Sequence, residues 1–467
     1  MRRSLALFAV PLLLLGGCDT LSSVSNGVTS TLGLGGDESA GSEQETSIAR
    51  HIGMTVADEP LAARAGARAL QEGGSAADAV TTMFFTLPAP YPVAAGLGGG
   101  GICMMRDTSG QVREFNFLAR QPAGGGSFAV PAAVYGFHDL QTAYGALPWQ
   151  RMVAPGESYA ATGFPVSQAL STRLNEAANV VRLDAALAAE FLDESGAPRA
   201  VGTVASNPDL ARTLGQVRLA GNDGFYKGAV AASIAAYSAA QGGAVTLAEL
   251  AGVRDQSGPA RARAVGSLTA YVPGPGTGAG AFTGALLDNL ARAQGAGQTG
   301  EAAVMTAARQ TLTAFGLSSL PRDMGSTGFA AVDANGQAAA CAVTLNGPFG
   351  SGRTVTDTGV TLATAPNASQ QGLASAFLTP LIATQDGQVV LAGTGTGGPN
   401  GTAAAAYALL EAANGSLHSR GVLRSTGAAP FDTVNMISCA DGICVALPDP
   451  GAHGQGAAPD PGIAAPG

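Results

Sequence analysis

The stretch FAAVDANGQAAACAVTL, residues 329–345, leaves the chain few local options. Two apolar, strand-like runs flank Asp333-Ala334-Asn335-Gly336. Asn-Gly is the strongest short-range hairpin signal, because both residues accept positive φ. A second paired run, NMISCADGICVAL, closes the C-terminal third. Between them GQVVLAG reads as a strand entering the glycine-rich turn TGTGGPNG, and TAAAAYALLEAAN reads as a helix. Strands at both ends of this third with a helix between them suit a layered α/β core.

The N-terminal two thirds is more helical. Leu61, Ala65, Ala69 and Leu70 keep a 3.6-type spacing, and Gly73-Gly74 ends that helix. Ser75 caps a second helix, with Asp78 three residues on, as in a capping box. The four glycines 98–101 have two readings, a ligand cradle or tight strand packing. NPDLARTLGQVRLAG reads as a capped amphipathic helix, and Thr246 with Glu249 opens another.

The first residues read as an export signal. Arg2 and Arg3 precede an uncharged apolar run from Leu5 to Gly17. That run falls short of the roughly 20 residues a bilayer span needs and suits a signal-peptide core. It ends in Leu15-Gly16-Gly17-Cys18, which resembles the bacterial lipobox; an ordinary secretory signal with a chance cysteine is the other reading. Asp19 resembles an inner-membrane retention signal. The expectation is a lipoprotein anchored through Cys18 and facing the periplasm, with signal 1–18 and a Ser/Gly/Thr-rich tether 19–48.

An apolar content of 46% is enough for a large core. A net charge of −9 without a basic cluster argues against a nucleic-acid partner. Cys439 and Cys444 flank ADGI, a spacing that suits a short disulfide across a hairpin in an oxidising compartment. Cys103 and Cys341 lie in apolar, strand-like surroundings, where the common state is a buried inert thiol. The four histidines are scattered and no metal-ligand spacing occurs, so no metal or cofactor is expected.

Just before the first hairpin stands Gly325-Ser326-Thr327-Gly328. A hydroxyl is a weak nucleophile unless a base activates it. A residue's own α-amine, with an ordinary pKa of about 7.7–8.0, serves when that residue is N-terminal. The chain must then first be cut before it. A small residue followed by Ser or Thr at the head of a strand is the form such a site takes.

The surroundings resemble the gamma-glutamyltranspeptidase family of N-terminal-nucleophile hydrolases. AGARALQEGGSAADAV followed by GLGGGG is similar to the family's large-subunit opening, and YGALPWQRMVAPGESYAATGFPVS to its next signature. The resemblance runs from about Asp58 to Gly456. In the family the cut precedes a Thr, seven residues before the Asp that starts a hairpin turn, and 333 − 7 is Ser326. The resemblance implies a four-layer αββα sandwich. It implies a cut between Gly325 and Ser326 into parts 49–325 and 326–467, which stay associated. Ser326 takes the nucleophile's place, with Thr327 as the alternative. Within TLNGPFGSG, Thr344 takes the place of the threonine that hydrogen-bonds the nucleophile, and Asn346 that of a substrate contact. Gly397 and Gly398 fall at the oxyanion donors.

Other positions depart from the family. Leu118 stands where an arginine holds the glutamyl carboxylate, and Arg120, two residues on and so on the same face of a strand, is the candidate substitute. The stretch ATAPNA, 363–368, lacks the acid that holds the substrate amine. Ser375 lies near the place of the family's serine pair. The expectation is therefore a self-processing amidohydrolase or acyltransferase for a small amide or peptide substrate, with altered or lost γ-glutamyl recognition. An acylase for apolar acyl groups and a non-catalytic envelope module are the alternatives.

Overall fold

The computed structural model describes residues 48–50, 53–254, 256–368, 370–417 and 431–460. Cys18, the lipobox and nearly all of the tether lie outside these residues. Among the described residues no helix is long and apolar enough to cross a membrane.

Two antiparallel seven-stranded sheets carry the architecture. In the first, the order is Gln455–Ala457, Met54–Ala57, Ser326–Val332, Ala338–Thr344, Gly100–Arg106, Val112–Phe117 and Gly258–Pro259. In the second it is Ile48–Arg50, Ile443–Leu447, Thr433–Ala440, Gln388–Thr396, Thr379–Gln385, Leu268–Val272 and Arg261–Val265. The sheets meet face to face through Met54, Val56, Met104, Ala330, Val332, Ile382, Ala392 and Ile437. Helices Pro60–Gln71 and Ala76–Thr86 cover the outer face of the first sheet. Helices Gly278–Gly295, Gly300–Ala314 and Pro399–Ala413 cover that of the second. This is the αββα sandwich. The central strands, such as Ser326–Val332, Ala338–Thr344 and Gly100–Arg106, are buried on both faces, so they read as continuous apolar runs rather than as alternating ones.

Local signals translate directly. Ser75 accepts from Asp78 N, and the Asp78 carboxylate accepts from Ser75 N, closing the capping box. The four-glycine run is tight strand packing. A Cβ at Gly98 would lie 2.1 Å from Thr361 O, and one at Gly100 would lie 2.2 Å from Ala119 N. The hairpin 326–344 forms, but its turn is not the two-residue type. Only Gly336 has positive φ, at 80°, while Gly336 N donates to Asp333 O and Asp333 N to Gln337 O. Asp333 dictates the wider turn. One carboxylate oxygen accepts from Asn335 N and Gln337 N, and the other accepts from Ala76 N of the covering helix.

The cysteines require one correction. Cys103 and Cys341 are not free thiols; they form a disulfide, with Cα atoms 4.1 Å apart. Their surroundings are apolar as expected, and both are fully buried. The antiparallel register sets them directly opposite each other on adjacent strands, which a separation of 238 residues conceals. Cys439 and Cys444 are also joined, across the hairpin of strands Thr433–Ala440 and Ile443–Leu447.

Buried carboxyls make stability depend on pH. Burial pushes Glu190 from its usual 4.5 up to about 8, against a hydrogen bond from Asn207, and pushes Glu59 up to about 7. One oxygen of Glu190 is buried with no partner among the described residues. The folded state therefore binds these protons more tightly than the unfolded chain. Their stabilisation is complete below the unfolded-state pKa and is lost as pH rises through about 7 to 8. Thermal unfolding should give a melting temperature that falls between pH 5 and pH 8.5. Glu190→Gln should make that slope shallower, by on the order of a few degrees across the range. An unchanged slope would remove Glu190 from the account.

Candidate active site

Ser326 begins its strand, so successive side chains point to opposite faces from there on. Ala330 and Val332 enter the core between the sheets, while Phe329 and Ala331 pack beneath the helices. Ser326 and Thr327 therefore diverge. Ser326 Oγ accepts from Gly397 N at 2.8 Å. Thr327 Oγ1 instead donates to Asp58 Oδ2 at 2.6 Å. Asp58 also accepts from Thr433 Oγ1 and Asn435 Nδ2. Its burial raises its pKa against those three hydrogen bonds. The hydroxyl presented to the glycine loop is that of Ser326, and Thr327 is committed elsewhere.

The preceding peptide is held as closely. Gly325 has φ +65°, and a Cβ there would lie 1.9 Å from the Gly347 carbonyl carbon, so only glycine fits. Gly325 O accepts from Thr344 Oγ1 at 2.8 Å and from Leu345 N at 3.1 Å. Asn346 N donates to Thr344 Oγ1 at 2.8 Å, which directs the single hydroxyl proton toward Gly325. Thr344 thus engages the carbonyl on the acyl side of the junction, where the resemblance implied a bond to the nucleophile. Two donors polarise that carbonyl and would hold the oxyanion if Ser326 Oγ attacked it.

Gly397 and Gly398 link strand Gln388–Thr396 to helix Pro399–Ala413, so their amides lie at a helix N-terminus. The Asp432 carboxyl packs against Gly398 and accepts from Asn400 Nδ2. Burial pushes Asp432 up to about 6, against that hydrogen bond. Asn346 has φ +55°, and its Nδ2 donates to Thr364 O. Its Oδ1 is buried without a partner among the described residues.

The substrate side differs from the expectation at Arg120. The strand ends at Phe117, so the two-residue offset does not return Arg120 to the face of Leu118. Arg120 is instead half-exposed and paired with the Glu249 carboxylate. Leu118 packs on Ile102, Ala279, Ala342 and Leu378. Ser375 lies half-buried in the 3-10 helix Gln370–Phe377, which packs on helix Gly278–Gly295. Ser326 itself is fully buried, and Met324, just before the junction, sits against Phe282, Ala374 and Phe377.

Three residues at the site escaped the sequence reading. They are Asp58, Arg173 and Asp323. Arg173 Nε donates to Asp323 Oδ2 at 2.8 Å, and its Nη2 pairs with Asp323 Oδ1. Burial opposes the Arg173 charge, and Asp323 and Tyr91 together more than offset it, so the guanidinium is held above its ordinary pKa. One signal was available. Arg173 falls on the buried stripe Leu170, Leu174, Ala177 and Val181 of helix Gln168–Val181, and a cation on such a stripe needs an acid.

Comparison with known proteins agrees with this fold. The chain is 30% identical over 220 residues to Glutathione hydrolase 2 of Arabidopsis thaliana, covering 44% of this chain and 38% of that protein. It is 29% identical over 229 residues to the Acylase ACY 1 proenzyme of Pseudomonas sp. (strain SE83), covering 43% and 41%. It thus spans about two fifths of the length of these curated relatives. The cephalosporin acylase from Bacillus halodurans superposes with a TM-score of 0.71 at 18% identity, covering 91% of this chain and 98% of that one. The Helicobacter pylori gamma-glutamyltranspeptidase superposes with a TM-score of 0.52 at 22% identity, covering 58% and 83%. The profile of the Gamma-glutamyltranspeptidase family matches residues 62–312, more than half of the chain, and the chain belongs to that family.

Proposed function

We propose that this chain is a self-processing amidohydrolase or acyltransferase whose nucleophile is Ser326. The observation that carries the reading is the pair of contacts at the junction. Ser326 Oγ meets the Gly397 amide, and the Gly325 carbonyl meets Thr344 and Leu345. Attack of Ser326 Oγ on the Gly325 carbonyl carbon moves the acyl group from nitrogen to oxygen. Water then hydrolyses the ester, leaving a carboxylate on Gly325 and a free amine on Ser326. That amine acts as base when Ser326 Oγ next attacks a substrate amide. The amides of Gly397 and Gly398 hold the oxyanion, the substrate amine departs, and water or an acceptor amine takes the acyl group.

A specific observation favours an apolar acyl group over a γ-glutamyl one. Across the first sheet, Thr344 pairs with Ser326 and Gly100 pairs with Thr344. Leu118 follows Phe117 on the next strand, so it lies about three strand spacings, ~14 Å, from Ser326. On the intervening strands Ala342 and Ile102 lie two residues along from Thr344 and Gly100, and with Leu378 and Ala279 they pack on Leu118. Arg120, the replacement cation, is held by Glu249. Because relatives bear the name glutathione hydrolase, a γ-glutamyl anilide is the compound to beat. Processed enzyme should release aniline from a straight-chain hexanoyl anilide with a kcat/KM about 100-fold above that for the γ-glutamyl anilide. That ratio corresponds to the loss of one or two charge-assisted hydrogen bonds to the head group, each about 1.5–3 kcal/mol. A preference for the γ-glutamyl compound would show that other residues rebuild its site.

A further inference from the structure

Of the ion pairs among the described residues, Arg173–Asp323 is the most deeply buried, with side chains 1% and 7% exposed. Such a pair is a poor stabiliser. Desolvation costs several kcal/mol per ion, and well-packed apolar replacements are often neutral or better. What this pair holds is more informative. Asp323 Oδ1 accepts from Gly325 N at 2.8 Å. Arg173 Nη1 donates to Ser326 O at 3.0 Å. Those two groups flank the Gly325–Ser326 peptide bond on its two sides. The guanidinium is fixed in turn by the Asp323 carboxylate and by the Tyr91 ring, 5.4 Å below it.

We propose that Arg173 and Asp323 are positioning residues for self-cleavage, clamping the junction in its left-handed conformation with the Gly325 carbonyl turned toward Thr344. The proposal rests on the reading of Gly325–Ser326 as the cleavage site. Neither residue touches a reacting atom. Gly325 N and Ser326 O lie outside the bond that breaks, and the Gly325 carbonyl and Ser326 Oγ are held by Thr344, Leu345 and Gly397. The clamp fixes the backbone on either side of the bond, including the φ of Ser326 on which that approach depends, while the contact with Gly397 N sets the Ser326 side chain. It also joins the two sides of the cut, since Arg173 precedes the junction and holds Ser326.

The test compares charge-neutral double variants, because removing one partner alone strands a buried charge. Arg173→Met with Asp323→Asn keeps an amide oxygen for Gly325 N. Arg173→Met with Asp323→Leu does not. Appearance of the small chain is followed on reducing gels, with thermal melting as the control for folding. The Asn double variant should cut about 100-fold more slowly than wild type, the scale of a misplacement near 1 Å. The Leu double variant should be slower again by about 10-fold at a similar melting temperature, the value of one hydrogen bond. Wild-type rates in a folded Asn double variant overturn the clamp. Equal slowing in both double variants reduces the pair to structural support and overturns the positioning role. If neither double variant folds, Arg173→Lys decides: it retains the charge but not the fork, and should cut about 10-fold slower. A wild-type rate for Arg173→Lys refutes the proposal. If wild-type protein itself stays uncut, the cleavage reading fails and the clamp falls with it.

Discussion

Denaturing electrophoresis of the wild-type protein should give two answers, depending on reductant. With reductant, a chain of 467 − 326 + 1 = 142 residues should separate from the larger one. Without reductant, the cut protein should run as one species. The reason is where the junction falls. Cys103 precedes it and Cys341 follows it, so the disulfide spans the cut and outlives the peptide link. Both sulfurs belong to fully buried residues, so reductant reaches them only when the fold opens. A staple of this kind makes reassociation of the two parts intramolecular and keeps their effective concentration high. Ser326→Ala should remain a single chain under both conditions. Thr327→Ala should still be cut, because its hydroxyl serves Asp58 rather than the junction. Separation of the chains without reductant, with thiols blocked during lysis, would show the staple absent. A single wild-type chain after reduction would show that Ser326 does not cut.

The contrast between what could and could not be read in the sequence follows the range of the forces involved. Caps and turns are local. Ser75 with Asp78, Asn207 with Leu210 N, and Thr246 with Glu249 N each close within three residues, and the sequence displays both partners. Even there the Asp333 carboxylate widened the hairpin turn, since one oxygen accepts from Asn335 N and Gln337 N while the other holds Ala76 N, 257 residues away. Contacts set by strand register are not displayed. Cys103 opposite Cys341 depends on which strands neighbour each other. Arg120 was placed by extending strand periodicity past Phe117, where the strand has already ended. Arg173 was hidden for a different reason. Its helix supplies the apolar stripe, but its acid lies 150 residues on. Which of Ser326 and Thr327 meets the glycine loop needed only one fact beyond the sequence: which sheet face looks at that loop.

Gly325→Ala should abolish cleavage while leaving the fold intact, a larger effect than removing any side chain around the junction other than that of Ser326 itself. A methyl group at this position meets the Gly347 carbonyl carbon at 1.9 Å, and this is backbone that cannot swing aside. The φ of +65° is itself costly for alanine. The junction must therefore shift, and the Gly325 carbonyl leaves Thr344 Oγ1 and Leu345 N. Thr344→Val, which keeps the shape and removes one donor, should slow cleavage by roughly 10²–10³, as loss of a single oxyanion donor does. Leu345 N still serves the carbonyl in that variant, so slow cutting persists. Both variants should keep the Cys103–Cys341 disulfide, since the strands that carry it do not move, and this is the control for folding. The ordering is the discriminating result. If Thr344→Val were uncut and Gly325→Ala cut at the wild-type rate, Thr344 would be acting on Ser326 Oγ as a base relay. The left-handed glycine would then be a packing requirement without a part in the chemistry.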